Sequence, residues 1–127
     1  NLLLNVGPMP SGEIEPRQVK VLRKMGGWLA KYGESVYGTR GGPFRNGAWG
    51  GSTMKGRTVY LHILKWEGNQ LQLPSLKARI IRGKALTGGN VRIEQTDEGT
   101  IIRMPVREQN KVNTVVKLEM DAPVPLQ

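Results

Sequence analysis

The sequence contains no cysteine and a single histidine, His62. Without a thiol there is no disulfide framework, no Cys-ligated zinc and no cysteine nucleophile, and the redox compartment is left open. Zinc usually takes three or four ligands, so His62 would need carboxylates beside it. The acids Glu94, Asp97 and Glu98 instead read as turn chemistry around Asp97-Glu98-Gly99. No apolar run approaches the ~20 residues of a membrane-spanning helix, and no membrane partner is expected. Asn1-Leu2-Leu3-Leu4 lacks the basic n-region of a signal peptide. There is no Gly-x-Ser-x-Gly and no phosphate-binding P-loop, and the Gly-x-Gly runs do not lie between a strand and a helix. No cofactor and no metal are expected.

What is present is glycine, proline and positive charge. The 127 residues suit one domain, or one domain plus a piece of another. They are too few for a (β/α)₈ barrel, which needs roughly 250. Seventeen Gly and eight Pro point to a turn-rich β protein. Net charge is +9 and the sequence pI is about 10.3, which raises the question of nucleic acid. Arg and Lys fall singly from Arg17 to Lys117, however, and no block of five or six like charges exists. The charge reads as a solvated basic surface, and no nucleic-acid partner is expected. The chain begins without Met inside an apolar segment, so a piece of something longer is expected.

Two regions differ in period. Leu2, Leu3, Leu4 and Val6 form a continuous apolar run, as in a strand buried on both faces of a parallel sheet. Gly7-Pro8 stops it. A helix then starts near Pro16, with Glu13 and Glu15 complementing the positive end of its dipole. Val21, Leu22, Met25, Trp28, Leu29 and Tyr32 make one apolar stripe on a 3.6-residue period. Gly33 fits a left-handed C-cap. Gly26-Gly27 inside the helix reads as close packing on another backbone. One strand and one helix cannot bury such a strand on both faces. About seven further units are missing, or a partner replaces them.

A Gly-rich stretch follows, from Gly38 to Gly51, and is expected to be a linker. Beyond it the chain alternates. Arg57–Leu64 puts Val59, Leu61 and Ile63 on one face and Tyr60 and His62 on the other. Further strands are expected over Gln70–Leu73, Arg79–Leu86, Val91–Gln95, Thr100–Met104 and Asn113–Met120. Gly88-Gly89-Asn90 reads as a tight hairpin turn between two of them. Six or seven short strands at this spacing describe an antiparallel sandwich. Its core is expected to hold Val59, Leu61, Ile63, Ile80, Leu86, Val91, Ile93, Ile101, Val115 and Leu118. Trp49 and Trp66 read as buried sandwich residues in preference to a stacking platform. The residues alone describe a binding or structural module with no catalytic constellation.

Asn1-Leu2-Leu3-Leu4-Asn5-Val6-Gly7-Pro8-Met9-Pro10-Ser11-Gly12-Glu13-Ile14 resembles the segment closing the catalytic barrel of the α-L-fucosidases of glycoside hydrolase family 29. Gly26-Gly27-Trp28-Leu29 and Tyr32-Gly33-Glu34-Ser35-Val36-Tyr37-Gly38-Thr39 resemble the end of the following helix and the exit from the barrel. Tyr37–Phe44, Thr58–Leu64 and Thr114–Glu119 are similar to that family's C-terminal sandwich. Gly27 departs from a more usual polar helix former, and Ser35 from a small apolar residue.

The resemblance implies a mainly β chain: an antiparallel β-sandwich preceded by one strand–helix unit left from a (β/α)₈ barrel. Residues 1–40 would be the last βα unit, and 41–127 the Gly-rich linker and C-terminal sandwich. The parent would be an exo-acting α-L-fucosidase that releases terminal L-fucose with retention, using two carboxylates about 5 Å apart. No position here matches either carboxylate motif, so no catalytic residue is carried over, and the chain alone is expected to be inactive. Only Asn5, Gly7, Pro8 and Met9 are expected near the sugar, because barrel active sites sit at the C-terminal ends of the strands. Asn5 also reads as a residue that caps a backbone turn. The implied partners are fucosylated glycans, met through the parent, and the rest of the barrel. Self-association through Leu2–Val6 is a further expectation. A bacterial parent would be expected in the periplasm or outside the cell. The rival reading is a non-catalytic carbohydrate-binding or structural module.

Overall fold

Pro16 at the first helical position and Glu15 before it start helix α1, Pro16–Tyr32, in a computed structural model that describes residues 2–125. The Glu15 carboxylate accepts the backbone N–H of Gln18 at 3.3 Å, satisfying one of the orphan donors of the first turn. The apolar stripe is present but not covered. Val21 is 56% and Met25 39% exposed, and no residue of α1 is fully buried. Trp28 and Tyr32, one turn apart, bring their ring centroids to 5.4 Å.

Three expectations for this first unit, Asn1–Gly33, are corrected. Gly33 is right-handed at φ −60°, not left-handed. Its N–H still bonds the Leu29 carbonyl, and the chain tightens into a 3₁₀ turn over Gly33–Ser35, so no reversal is needed. Added Cβ atoms at Gly26 and Gly27 would meet nothing within 4 Å, so no close backbone packs there among the described residues. Leu2–Val6 is not a strand. Leu2 and Leu3 are 83% and 90% exposed, and the segment has no sheet neighbour to bond among the described residues. A strand exists only through its pairing. After it, Pro8 bridges to Ile14 and Met9 N–H donates to the Glu13 carbonyl at 2.8 Å, around Gly12 at φ +85°.

The second unit, Glu34–Gln127, is built of eight strands among the described residues. These are β1 (Arg40–Gly41), β2 (Gly50–Lys55), β3 (Thr58–Ile63), β4 (Gln70–Leu73), β5 (Ile80–Ala85), β6 (Arg92–Gln95), β7 (Thr100–Arg103) and β8 (Thr114–Met120). They form two antiparallel sheets, ordered β1-β2-β3-β8-β5 and β4-β7-β6. The mainly β class with one helix is as expected. The stretch expected as a linker, Gly38 to Gly51, carries β1 and the start of β2. Gly50 sits at φ +134° where a Cβ would lie 1.9 Å from the His62 carbonyl oxygen, so this glycine serves close backbone approach.

Gly88-Gly89-Asn90 does not close a hairpin either. Both glycines have positive φ, as a turn requires, but β5 belongs to the larger sheet and β6 to the smaller. The chain crosses between sheets here, and the Asn90 N–H is taken by the Glu108 carboxylate at 2.6 Å. The turn before Thr100 does close the β6–β7 hairpin.

The core lies between the sheets. Val59, Leu61, Ile63, Leu71, Leu73, Ile102, Val116, Leu118 and Met120 are buried in it. Of the expected core residues, Ile80, Val91 and Ile93 pack partly buried against this cluster, and Leu86 is half-buried. Ile101 is half-buried while Ile102 is fully buried, a one-residue error in register that two adjacent isoleucines invite. Val115 is buried, but outside that cluster, on the opposite face of β8 beside its partner His62.

Candidate functional site

The segment expected near a sugar, Asn5 to Met9, lies in the first unit. Asn5, Gly7 and Pro8 are exposed and Met9 is half-buried. The Asn5 Oδ1 accepts the Val6 N–H at 3.0 Å, and Gly7 N–H reaches Gln18 Oε1 at 3.3 Å. Asn5 therefore holds its own backbone. Leu4 to Gly7 and the Val21, Leu22 and Met25 side of α1 line an open apolar groove.

Neither acid near this segment is arranged for catalysis. Glu15 caps α1 with one oxygen and holds Arg17 Nε at 2.6 Å with the other. Glu13 accepts from the Ser11 hydroxyl at 3.2 Å. Among the described residues, no three His, Asp or Glu side chains converge as metal ligands. The tryptophans of the second unit both have their indole N–H groups engaged. Trp66 Nε1 donates to Thr114 Oγ1 at 3.3 Å and Trp49 Nε1 to the Arg45 carbonyl at 3.2 Å. Both are half-buried and packed against the core.

The densest polar cluster is one that the sequence reading left unassigned. It lies on the face of the larger sheet away from the core. Glu34 Oε2 accepts from Lys117 Nζ at 2.8 Å and from the Tyr60 hydroxyl at 3.0 Å. These two bonds, Lys117's first, hold the Glu34 carboxyl below the usual carboxylate range. The same Glu34 bond raises Lys117, whereas Tyr60 rises mainly through burial. Beside it Thr53 Oγ1 donates to the Ser35 carbonyl at 2.5 Å, and His62 Nε2 lies 3.4 Å from that oxygen. Asn113 Nδ2 stands 3.3 Å from His62 Nδ1. With the amide donating to Nδ1, the imidazole proton sits on Nε2, towards Ser35. Burial lowers the His62 pKa, partly opposed by the Ser35 carbonyl.

Thr53, His62 and Asn113 stand in the order of a nucleophile, a base and an orienting group, with Thr53 Oγ1 3.2 Å from His62 Nε2. The hydroxyl proton goes to Ser35, not to the imidazole. The arrangement therefore ties the turn of Glu34 and Ser35, the latter fully buried, to the sheet. One signal in the sequence points to it: Tyr60 and His62 share a face of β3, and Lys117 follows the same alternation on β8.

The α-L-fucosidase family model matches residues 1–34. Over 73 residues the chain is 38% identical to an α-L-fucosidase of Branchiostoma floridae, a match covering 52% of this chain and 15% of that protein. Among solved structures it is similar to α-L-fucosidase isoenzyme 1 of Paenibacillus thiaminolyticus, with a TM-score of 0.83 and 30% identity over 95% of this chain and 31% of that one. It is also similar to a Thermotoga maritima α-fucosidase in complex with a mechanism-based inhibitor, with a TM-score of 0.72 and 26% identity over 94% of this chain and 30% of that one. The resemblance read from Asn1–Ile14 and Gly26–Thr39 is borne out: the chain is related to the α-L-fucosidases. It spans under a third of the length of each of these relatives.

Proposed function

We propose that this chain is the C-terminal portion of an exo-acting α-L-fucosidase that releases terminal L-fucose from glycans with retention. Residues 1–40 would complete the catalytic barrel as its last βα unit, and 41–127 would form an accessory sandwich. The observation that carries the reading is where the family match falls. Residues 1–34 are the segment whose apolar side chains, Leu2 to Leu4 and Val21, stand uncovered. A βα unit removed from its neighbours has that appearance.

Retaining hydrolysis takes a nucleophile and an acid/base about 5 Å apart on a rigid scaffold. Neither is carried over to a residue here, and Glu13 and Glu15 are engaged elsewhere. Both catalytic carboxylates would come from the rest of the barrel. This chain would supply backbone at the barrel mouth, Asn5 to Met9.

The experiment is reconstitution. The chain is mixed with the missing barrel segment and assayed with an activated aryl α-L-fucoside, the anomer of the first product being read by NMR. Activity from the mixture alone, with the α-anomer formed first, is the expected result. Turnover by this chain alone that vanishes in Glu13→Gln or Glu15→Gln would overturn the reading.

A further inference from the structure

The outward face of the small sheet carries an arrangement that its own stability does not favour. Arg92 of β6 and Arg103 of β7 are direct cross-strand partners, so two guanidinium groups share one face. Like charges directly opposite each other destabilise a sheet. Arg103 is partly compensated: Nη1 donates to Gln70 Oε1 at 3.1 Å and Nη2 lies 3.4 Å from Glu94 Oε2. Arg92 has no hydrogen bond or ion pair among the described residues.

The two arginines line one open cleft of about 490 Å³. Its other walls suit a hydroxylated ligand. The side-chain amides of Asn69 and Asn90 have no hydrogen-bond partner among the described residues, and Met104 and Pro105 supply an apolar floor. The carboxylate on the rim, Glu108, is already occupied, with Oε2 accepting the Asn90 N–H at 2.6 Å and Oε1 3.9 Å from Arg107 Nε. The charge left without a partner is Arg92.

We propose that this cleft binds a saccharide bearing an oxyanion, a carboxylate or a sulfate ester. The anion would bridge Arg92 and Arg103, relieving their repulsion through charge-assisted bonds. The sugar hydroxyls would meet Asn69 and Asn90. The choice of a saccharide rests on the glycosidase reading above, whereas the choice of an anion rests on the arginines alone.

The test is titration of the 127-residue chain, followed by amide NMR, with five probes: a sialylated trisaccharide, a sulfated trisaccharide, the neutral parent of each and inorganic sulfate. At least one anionic trisaccharide should bind with Kd on the order of 1 mM, shifting the resonances of Asn69, Asn90 and Arg92. Arg92→Ala, on an exposed strand position, should weaken this about tenfold without lowering the melting temperature, since it removes the like-charge repulsion with Arg103. The preferred probe tells carboxylate from sulfate. No shifts with either anionic sugar, equal affinity in Arg92→Ala, or equal binding of the matching neutral parent would each overturn the proposal. Inorganic sulfate binding as tightly as the sugars would overturn its saccharide part. Arg92→Ala should leave reconstituted fucosidase activity unchanged, so failure here and failure of the fucosidase reading are separable.

Discussion

Glu34 and Lys117 stand 83 residues apart in the chain and 2.8 Å apart in space. With the Tyr60 hydroxyl they join the turn after α1 to the adjacent strands β3 and β8 of the larger sheet. Glu34 is about half exposed, so the pair is worth less than about 1 kcal/mol. Its pH dependence has a defined sign. The folded-state pKa of Glu34 lies below the usual 4.5, so its contribution is present above that value and is lost as pH falls through the depressed one. Glu34→Gln should therefore melt slightly below the parent at pH 7, and the two melting curves should converge as the pH falls through the depressed pKa. A gap of unchanged size across that whole range would refute the pairing.

His62 acts in a different window. Its folded-state pKa lies below 6.5 because burial disfavours the imidazolium. The unfolded chain therefore takes up a proton first, and stability should fall as pH drops below about 6.5. His62→Gln should flatten the stability profile between pH 7 and 5 when measured by denaturant unfolding. An NMR titration of the imidazole that gives an unshifted midpoint would contradict the burial.

The register of β7 can be read from two neighbouring side chains. Ile102→Ala should cost roughly 2–5 kcal/mol, the usual penalty for emptying a core site, and Ile101→Ala distinctly less. Urea unfolding of the two variants decides it, and equal losses would mean the assigned face is wrong.

Glycines should divide by what surrounds them. Nothing lies within 4 Å of a Cβ at Gly26 or Gly27, so alanine at either should stabilise this chain by about 0.5–1 kcal/mol. Gly50→Ala should destabilise it by ~1–3 kcal/mol, because the new Cβ would overlap the His62 carbonyl. Thermal melts measure both signs.

Leu2 to Leu4 should show unprotected amides in hydrogen exchange at low concentration, since nothing among the described residues pairs with them. Protection that grows with protein concentration, alongside sedimentation as a dimer, would show that copies pair through this segment. Full protection in a monomer would contradict the structure.

Much of this architecture was open to inspection in the sequence, for reasons that also explain the failures. Helix α1 was legible because Pro16 and a six-residue apolar stripe agree on one period. Strand β3 was legible because Val59, Leu61 and Ile63 alternate with polar neighbours. Ile101-Ile102 offered no such alternation, so either could face inward. Gly88-Gly89-Asn90 has the chemistry of a tight turn, and local chemistry does not say whether the next strand returns to the same sheet. The strand at Leu2–Val6 was read from side chains suited to a sheet that these residues do not include. The cluster around Glu34, Tyr60 and Lys117 joins three distant segments, and only alternation along β3 and β8 hinted at it.

The order of the larger sheet also sets when the chain can fold. β8, the last strand among the described residues, lies between β3 and β5, pairing with both. During synthesis from the N-terminus, β2 and β3 can form their hairpin early. The β3–β8 ladder must wait for residues 114–120, across a loop running from Ile63 to Thr114. Until then β3 keeps an open edge beside Leu61 and Ile63, the exposure that invites aggregation in partly made chains. A stop codon before Thr114 would not yield a slightly shortened sandwich. It would remove the strand through which β5 joins the sheet.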